Sequence, residues 1–187
     1  LLAGCANAPL HPDAAAHAAP GGHAAPLDRA LGHRILALDP ERISDRDVRE
    51  TLARGPTPHV MLIHGGIYPV HLLMESFSEF LTGMGYPVDR IRDPGETTLS
   101  RSPYESADRQ AGVVAWHYER DGVRPLLVGH SQGGIQVVKV LHTLAGAFDG
   151  ELRVFNPLAG DFEPRATIVD PLTGRQRPVV GVSVAYA

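Results

Sequence analysis

The stretch Gly129-His130-Ser131-Gln132-Gly133-Gly134 places one serine between glycines two positions away on either side. A serine hydroxyl is a poor nucleophile until it is exposed, relieved of its proton by a base, and set beside donors for the oxyanion that its attack creates. The flanks show how such exposure could arise. Pro125 to Val128 reads as a buried strand, whereas Val137, Val138, Leu141, Leu144, Ala145 and Phe148 recur at helical spacing from Ile135 onward. A chain that turns from strand to helix this sharply needs small residues at Gly129 and Gly133, because bulky side chains there would collide. Alone, G-x-S-x-G is weak: about 0.1 chance matches are expected in a chain of this composition. Its place at the end of a strand and the start of a helix gives it weight.

A second glycine pair closes the apolar run His59 to Ile63, in His64-Gly65-Gly66. With both segments in view, the chain resembles the α/β-hydrolase superfamily, in particular its bacterial esterase and lipase branch, from about His59 to Leu158. "LLVGHSQGG" is similar to the family's nucleophile elbow and "HVMLIHGG" to the strand and loop that supply its oxyanion hole. The resemblance implies an α/β-hydrolase fold, a mostly parallel sheet with helices on both faces. It implies Ser131 as nucleophile on a strained crest and the N–H of Gln132 as one oxyanion donor. Backbone at Gly66 or Ile67 would be the other, and His64 would brace the loop. Carboxylic esters would be the substrates, cleaved through an acyl-enzyme with no metal or organic cofactor.

The family order is serine, acid, histidine. Only His142 follows Ser131, eleven residues along the same helix and so roughly 16 Å away at 1.5 Å per residue. His130 neighbours the serine but should point to the opposite face, and His71 would break the order. The apolar pattern "VVGVSVAYA" ends without a closing helix, so the expectation is a domain incomplete at its C-terminus, with the histidine beyond Ala187. Asp161 and Asp170 are the candidate acids, each following a candidate strand, although an exposed turn is the commoner place for an aspartate.

Positioning these residues requires alternating elements. The pattern predicts a strand at 34–38, a helix from an N-cap at Ser44 (with Asp47 three residues on) to about Arg54, and a strand at 59–63. It then predicts a helix carrying Leu73, Phe77, Phe80, Leu81 and Met84 on one apolar face, stopped by Gly85. A short strand at 88–92, a polar loop at 93–106 and a helix at 107–120 follow. After the elbow helix come a strand in "ELRVFNPLAG" and two strands around Asp170-Pro171-Leu172-Thr173-Gly174. Arg90, Arg92, Arg101 and Arg109 gather near the 93–106 loop. They could favour an anionic substrate, and solvated surface charge is their plainer reading.

The 187 residues, 43% hydrophobic and 20% charged with net charge -4, suit one folded domain and give no pull toward nucleic acid. No apolar run is long enough for a membrane helix. The one cysteine excludes an internal disulfide framework and a multi-cysteine metal cluster. Leu2-Ala3-Gly4-Cys5 resembles the lipobox of bacterial lipoproteins, which implies a signal-peptide remnant at 1–5, lipidation at Cys5 and a lipid-anchored or secreted protein of the cell envelope. Residues 6–33, rich in Ala, Pro, Gly and His, read as a linker in which His11, His17, His23 and His33 are solvated. The hydrolase domain then spans 34–187. An acyltransferase using the same serine, or a non-catalytic envelope protein binding on the same scaffold, are the alternatives. Nucleotide binding is disfavoured, since neither G-x-G-x-x-G nor G-x-x-x-x-G-K-[ST] occurs.

Overall fold

The computed structural model describes residues 29–187, so Cys5 and most of the expected linker lie outside the described residues. Two helices open it, α1 (Arg29–Leu36) and α2 (Asp45–Glu50), the latter followed by a 3₁₀ turn over Leu52–Arg54. The helix α1 replaces both the last part of the expected linker and the expected strand at 34–38; Leu31 is its one buried residue. The cap expected at Ser44 is present in full. Ser44 Oγ accepts from the Asp47 N–H at 3.2 Å, and the Ser44 N–H donates to the Asp47 carboxylate at 2.9 Å, so two otherwise orphaned helix donors are satisfied.

The centre is a parallel pair, β1 (Val60–Ile63) and β2 (Leu126–Gly129), in register from Val60 opposite Leu126 to Ile63 opposite Gly129. Single bridges extend it on both sides, Ile63 with Arg101 and Leu126 with Tyr186, both parallel. All four β1 residues are buried. Alternation sends Met61 and Ile63 into one apolar cluster and Val60 and Leu62 into another. The first cluster is covered by α4 (Ala107–Asp121) and α5 (Gln132–Leu144), with Val113, Val114, Val137 and Val140 inside it. The second is covered by α3 (Tyr68–Gly83) through Met74. Fully burying a side chain of this kind contributes about 2 kcal/mol, so both faces of β1 hold the sheet in place.

The remaining strands do not extend this sheet. They form two antiparallel hairpins, β3 (Phe155–Asn156) with β4 (Asp161–Phe162), and β5 (Thr167–Val169) with β6 (Gln176–Pro178). The molecule is therefore a small α/β domain with short sheets rather than one mostly parallel sheet. Two other expectations fail for definable reasons. Val88 and Ile91 are three residues apart, which suits the 3₁₀ turn found at Val88–Arg90 and not the alternation of a strand. In α3 the apolar stripe Leu73, Phe77, Phe80 and Met84 faces outward, while Met74 and Ser78 are buried. Gly85 does end that helix, at φ 93°, a conformation open to glycine.

Candidate active site

β2 ends at Gly129 and α5 begins at Gln132, so the reversal takes two residues, His130 and Ser131. The Gly133 N–H donates to the His130 carbonyl at 2.9 Å, closing a four-residue turn with Ser131 at its first corner. There Ser131 has φ 56° and ψ -120°, values of a type II′ corner that glycine normally fills. Holding a side chain in so sparsely populated a region costs on the order of 1–3 kcal/mol. Thr97 is the other non-glycine residue with positive φ among the described residues. Ser131 is exposed, and its hydroxyl makes no cap bond to the helix it precedes.

The two flanking glycines are where the geometry demands them. A methyl group at Gly129 would overlap the Gly133 carbonyl and stand 2.7 Å from Gly134 N. One at Gly133 would overlap the carbonyl oxygen of Ile63. The elbow is thus pressed against the end of β1, and the His130 N–H donates to Ile63 O at 3.2 Å.

This pressing brings the second glycine pair alongside. A methyl on Gly65 would lie 3.3 Å from Ser131 Cβ, and one on Gly66 would overlap the Gln132 side-chain oxygen. Gln132 occupies the first position of α5, where the helix leaves its main-chain N–H unused and its dipole positive. Among the described residues the N–H groups of Gly66, Ile67 and Gln132 donate no hydrogen bond to the protein. Unused amides from two segments therefore belong to the glycine loop and the elbow that pack against each other here.

The loop 93–106 roofs the site. Tyr104 O–H donates to Gly66 O at 3.3 Å, and Pro103 lines the cleft over Ser131. This loop is held from below. Arg101, with 5% of its side chain exposed, pairs with Asp93 and, at 3.2 Å, with Glu105. Gln110 of α4 donates to Ser102 O at 3.1 Å, and Gln136 of α5 donates to Glu105 O at 2.8 Å. Burial pulls the Arg101 pKa down while Glu105 opposes it. The expectation of solvated arginines holds for the exposed Arg92 and is corrected for the other three. Arg101 is buried, Arg109 pairs with Glu96, and Arg90 pairs with Asp121 at 2.9 Å.

Among the described residues the histidines do not complete a triad. His64 Nδ1 lies 2.7 Å from Gly65 O, so its ring braces the glycine loop. In His71 both ring nitrogens are occupied, Nδ1 at 3.3 Å from Ser100 Oγ and Nε2 at 3.3 Å from Glu75 Oε1. Among the described residues no side chain hydrogen-bonds Ser131 Oγ.

Neither candidate acid hydrogen-bonds Ser131, and both carboxylates have other partners. Asp161 is exposed at the start of β4, where its carboxylate accepts the N–H of Phe162 at 2.7 Å. Asp170 closes the β5–β6 turn, accepting from Leu172 N at 2.9 Å and Thr173 N at 3.1 Å, and from Tyr118 and Arg177 at 3.3 Å each. Burial would raise its pKa, but the Leu172 N–H, Arg177, the Thr173 N–H and Tyr118 together hold it below the usual carboxylate value. Tyr118 lies eight residues, or roughly 12 Å, along α4 from Gln110 at the site end, so Asp170 lies by the opposite end of α4.

Sequence reasoning missed Tyr104, Ile135, Gln136 and Lys139 as residues around the serine. The last three could have been found: they lie four, five and eight positions past Ser131, along one face of a helix. Tyr104 could not, since its position depends on how the polar loop is pinned. Among the described residues no group of three His, Cys, Asp or Glu side chains could hold a metal ion, and no helix is long and apolar enough to cross a membrane. Compared with protein-family models, curated proteins and solved structures, the chain gives no match.

Proposed function

We propose that this chain is a serine hydrolase of the α/β-hydrolase type, acting on carboxylic esters. The observation that carries the reading is the positive-φ Ser131, exposed on a two-residue bend beside the unused amides of Gln132, Gly66 and Ile67. A turn with no chemical role would relieve its strain by holding glycine at that corner. In the reaction, Ser131 Oγ forms a bond to the ester carbonyl carbon and its proton passes to a base. The carbonyl electrons collect on the oxygen, which the three amides face. When they return, the alcohol leaves with that proton, and water then releases the acid and restores the hydroxyl. An alcohol in place of water makes the same site an acyltransferase.

On this reading the proton passes to a histidine, the base that the family resemblance implies. Since no described side chain hydrogen-bonds Ser131 Oγ, the second reading is a binding protein on the same scaffold. A fluorophosphonate probe separates the two. The full-length protein is treated beside its Ser131→Ala variant. Labelling that the alanine abolishes supports the hydrolase, and a folded, complete protein that stays unlabelled supports the binding scaffold. We further propose lipidation at Cys5 and an envelope location, which incorporation of a labelled fatty acid, lost in Cys5→Ala, would test.

A further inference from the structure

We propose that the Ser131 cleft selects esters carrying an anionic group at the end of a short apolar spacer, and that Lys139 binds that group. The inference rests on the reading of Ser131 as nucleophile. The cleft, of about 430 Å³, is lined by Pro103, Ser131, Gln132, Ile135, Gln136 and Lys139. Five of these six come from the N-cap and first two turns of α5, so the cleft runs along that helix. Ser131 stands at its start. Ile135 follows one turn on, a large aliphatic side chain left 61% exposed. Lys139 lies one turn further, eight residues and roughly 12 Å along the axis from the nucleophile. The order is nucleophile, apolar patch, cation.

Lys139 is the chain's one lysine. Of the arginines near the roof loop, Arg101 is engaged by Asp93 and Glu105, Arg109 by Glu96 and Arg90 by Asp121, while Arg92 is exposed but does not line the cleft. Lys139 is exposed and, among the described residues, has no carboxylate partner. Glu105, whose carbonyl accepts from Gln136 of the same helix, is itself committed to Arg101. A mobile, strongly hydrated ammonium on a flexible stem meets a terminal charge without demanding one geometry. Pro103 and Ile135 offer the intervening spacer an apolar wall.

The test is the second-order rate of Ser131 labelling by two phosphonate probes of equal tail length, one ending in a carboxylate and one in a methyl group. A third probe carries the carboxylate on the leaving group and tells which side of the scissile bond lies along α5. The anionic tail should react faster, the advantage shrinking with added salt. Lys139→Met should lower the anionic-to-neutral ratio up to about fivefold, the range of a solvent-accessible ion pair, and Lys139→Glu should invert it. Arg42→Met, the same charge change at a distant exposed site, should leave the ratio alone. If neither carboxylate probe outruns the methyl one, or if the advantage is unmoved by Lys139→Met, the inference is overturned and the hydrolase reading stands. If no probe labels Ser131, the hydrolase reading falls, and titration of the Ser131→Ala protein with a dicarboxylic acid half-amide decides the cleft. Binding that Lys139→Met weakens supports an anion site there, and no binding overturns it.

Discussion

Gly133 sits with its Cα against the main-chain oxygen of Ile63: a methyl group there would overlap that oxygen and stand 2.7 Å from the carbonyl oxygen of His64. Neither contact can yield, because both oxygens belong to the end of β1 and its glycine loop. One position on, a methyl at Gly134 would meet only Gly129 O, at 3.6 Å, an ordinary contact. The two glycines therefore have opposite roles. Gly133→Ala should destabilise the protein by about 3 kcal/mol, through overpacking against backbone. Gly134→Ala should stabilise it by about 0.5–1 kcal/mol, through helix propensity. Urea unfolding of the two variants checks the pair. Equal effects would mean that the elbow does not press on β1.

Ser131 carries the strain of that elbow. Ser131→Gly should raise the unfolding free energy by about 1 kcal/mol, because glycine occupies φ 56° without steric cost. Ser131→Ala keeps the side chain in the strained corner and should gain far less. Both should abolish labelling by a serine-directed probe. A glycine variant no more stable than the alanine one would show that the corner stores no strain.

Much of this elbow was legible in the sequence because its constraints are local. Two glycines at fixed offsets, a strand before and a helix after dictate the bend, and the capping box at Ser44 and the stop at Gly85 are local in the same way. What was not legible depends on partners distant in the chain. Phe77 and Phe80 lie on a helix with apolar residues on more than one face, and periodicity alone does not say which face meets β1. Arg101 reads as surface charge until Asp93 and Glu105 are folded onto it. The β3 and β5 segments have strand composition, but their short turns pair each with the next segment rather than with β2.

The roof loop hangs on Arg101. Arg101→Ala would leave Asp93 and Glu105, 4% and 11% exposed, without their shared cation. Removing one partner of a buried ionic group costs about 3–5 kcal/mol. Arg109→Ala, which breaks a far more exposed pair with Glu96, should cost less than about 1 kcal/mol. Thermal or urea unfolding compares them. Similar losses in the two variants would show that the Arg101 pair is not effectively buried.

His59 and His117 give the fold its acid sensitivity. Their rings stack at 3.7 Å between centroids and 16° between planes, both almost wholly buried. Burial, reinforced by His117, takes the His59 pKa down to about 2. Burial also lowers that of His117, against the opposing pull of Asp121. Arg90 and Arg101, the cations facing the pair, act in the same direction as burial. The folded state thus keeps both rings neutral where the unfolded chain, with histidine near 6.5, takes up protons. The unfolded state binds more protons as pH falls, so the contribution is complete above about pH 7 and is lost progressively below 6.5. Between pH 7 and 5 His59 should account for about 2 kcal/mol of lost stability, and His117 adds to the loss in the same direction. His59→Phe keeps an aromatic ring against His117 and removes one titrating group. Its unfolding free energy should therefore fall by about 2 kcal/mol less than that of the parent over this interval, whatever its absolute stability at pH 7. Urea unfolding at several pH values gives both slopes. Parallel curves would mean that His59 is protonated alike in the folded and unfolded chain, and that the stacked pair is open to water.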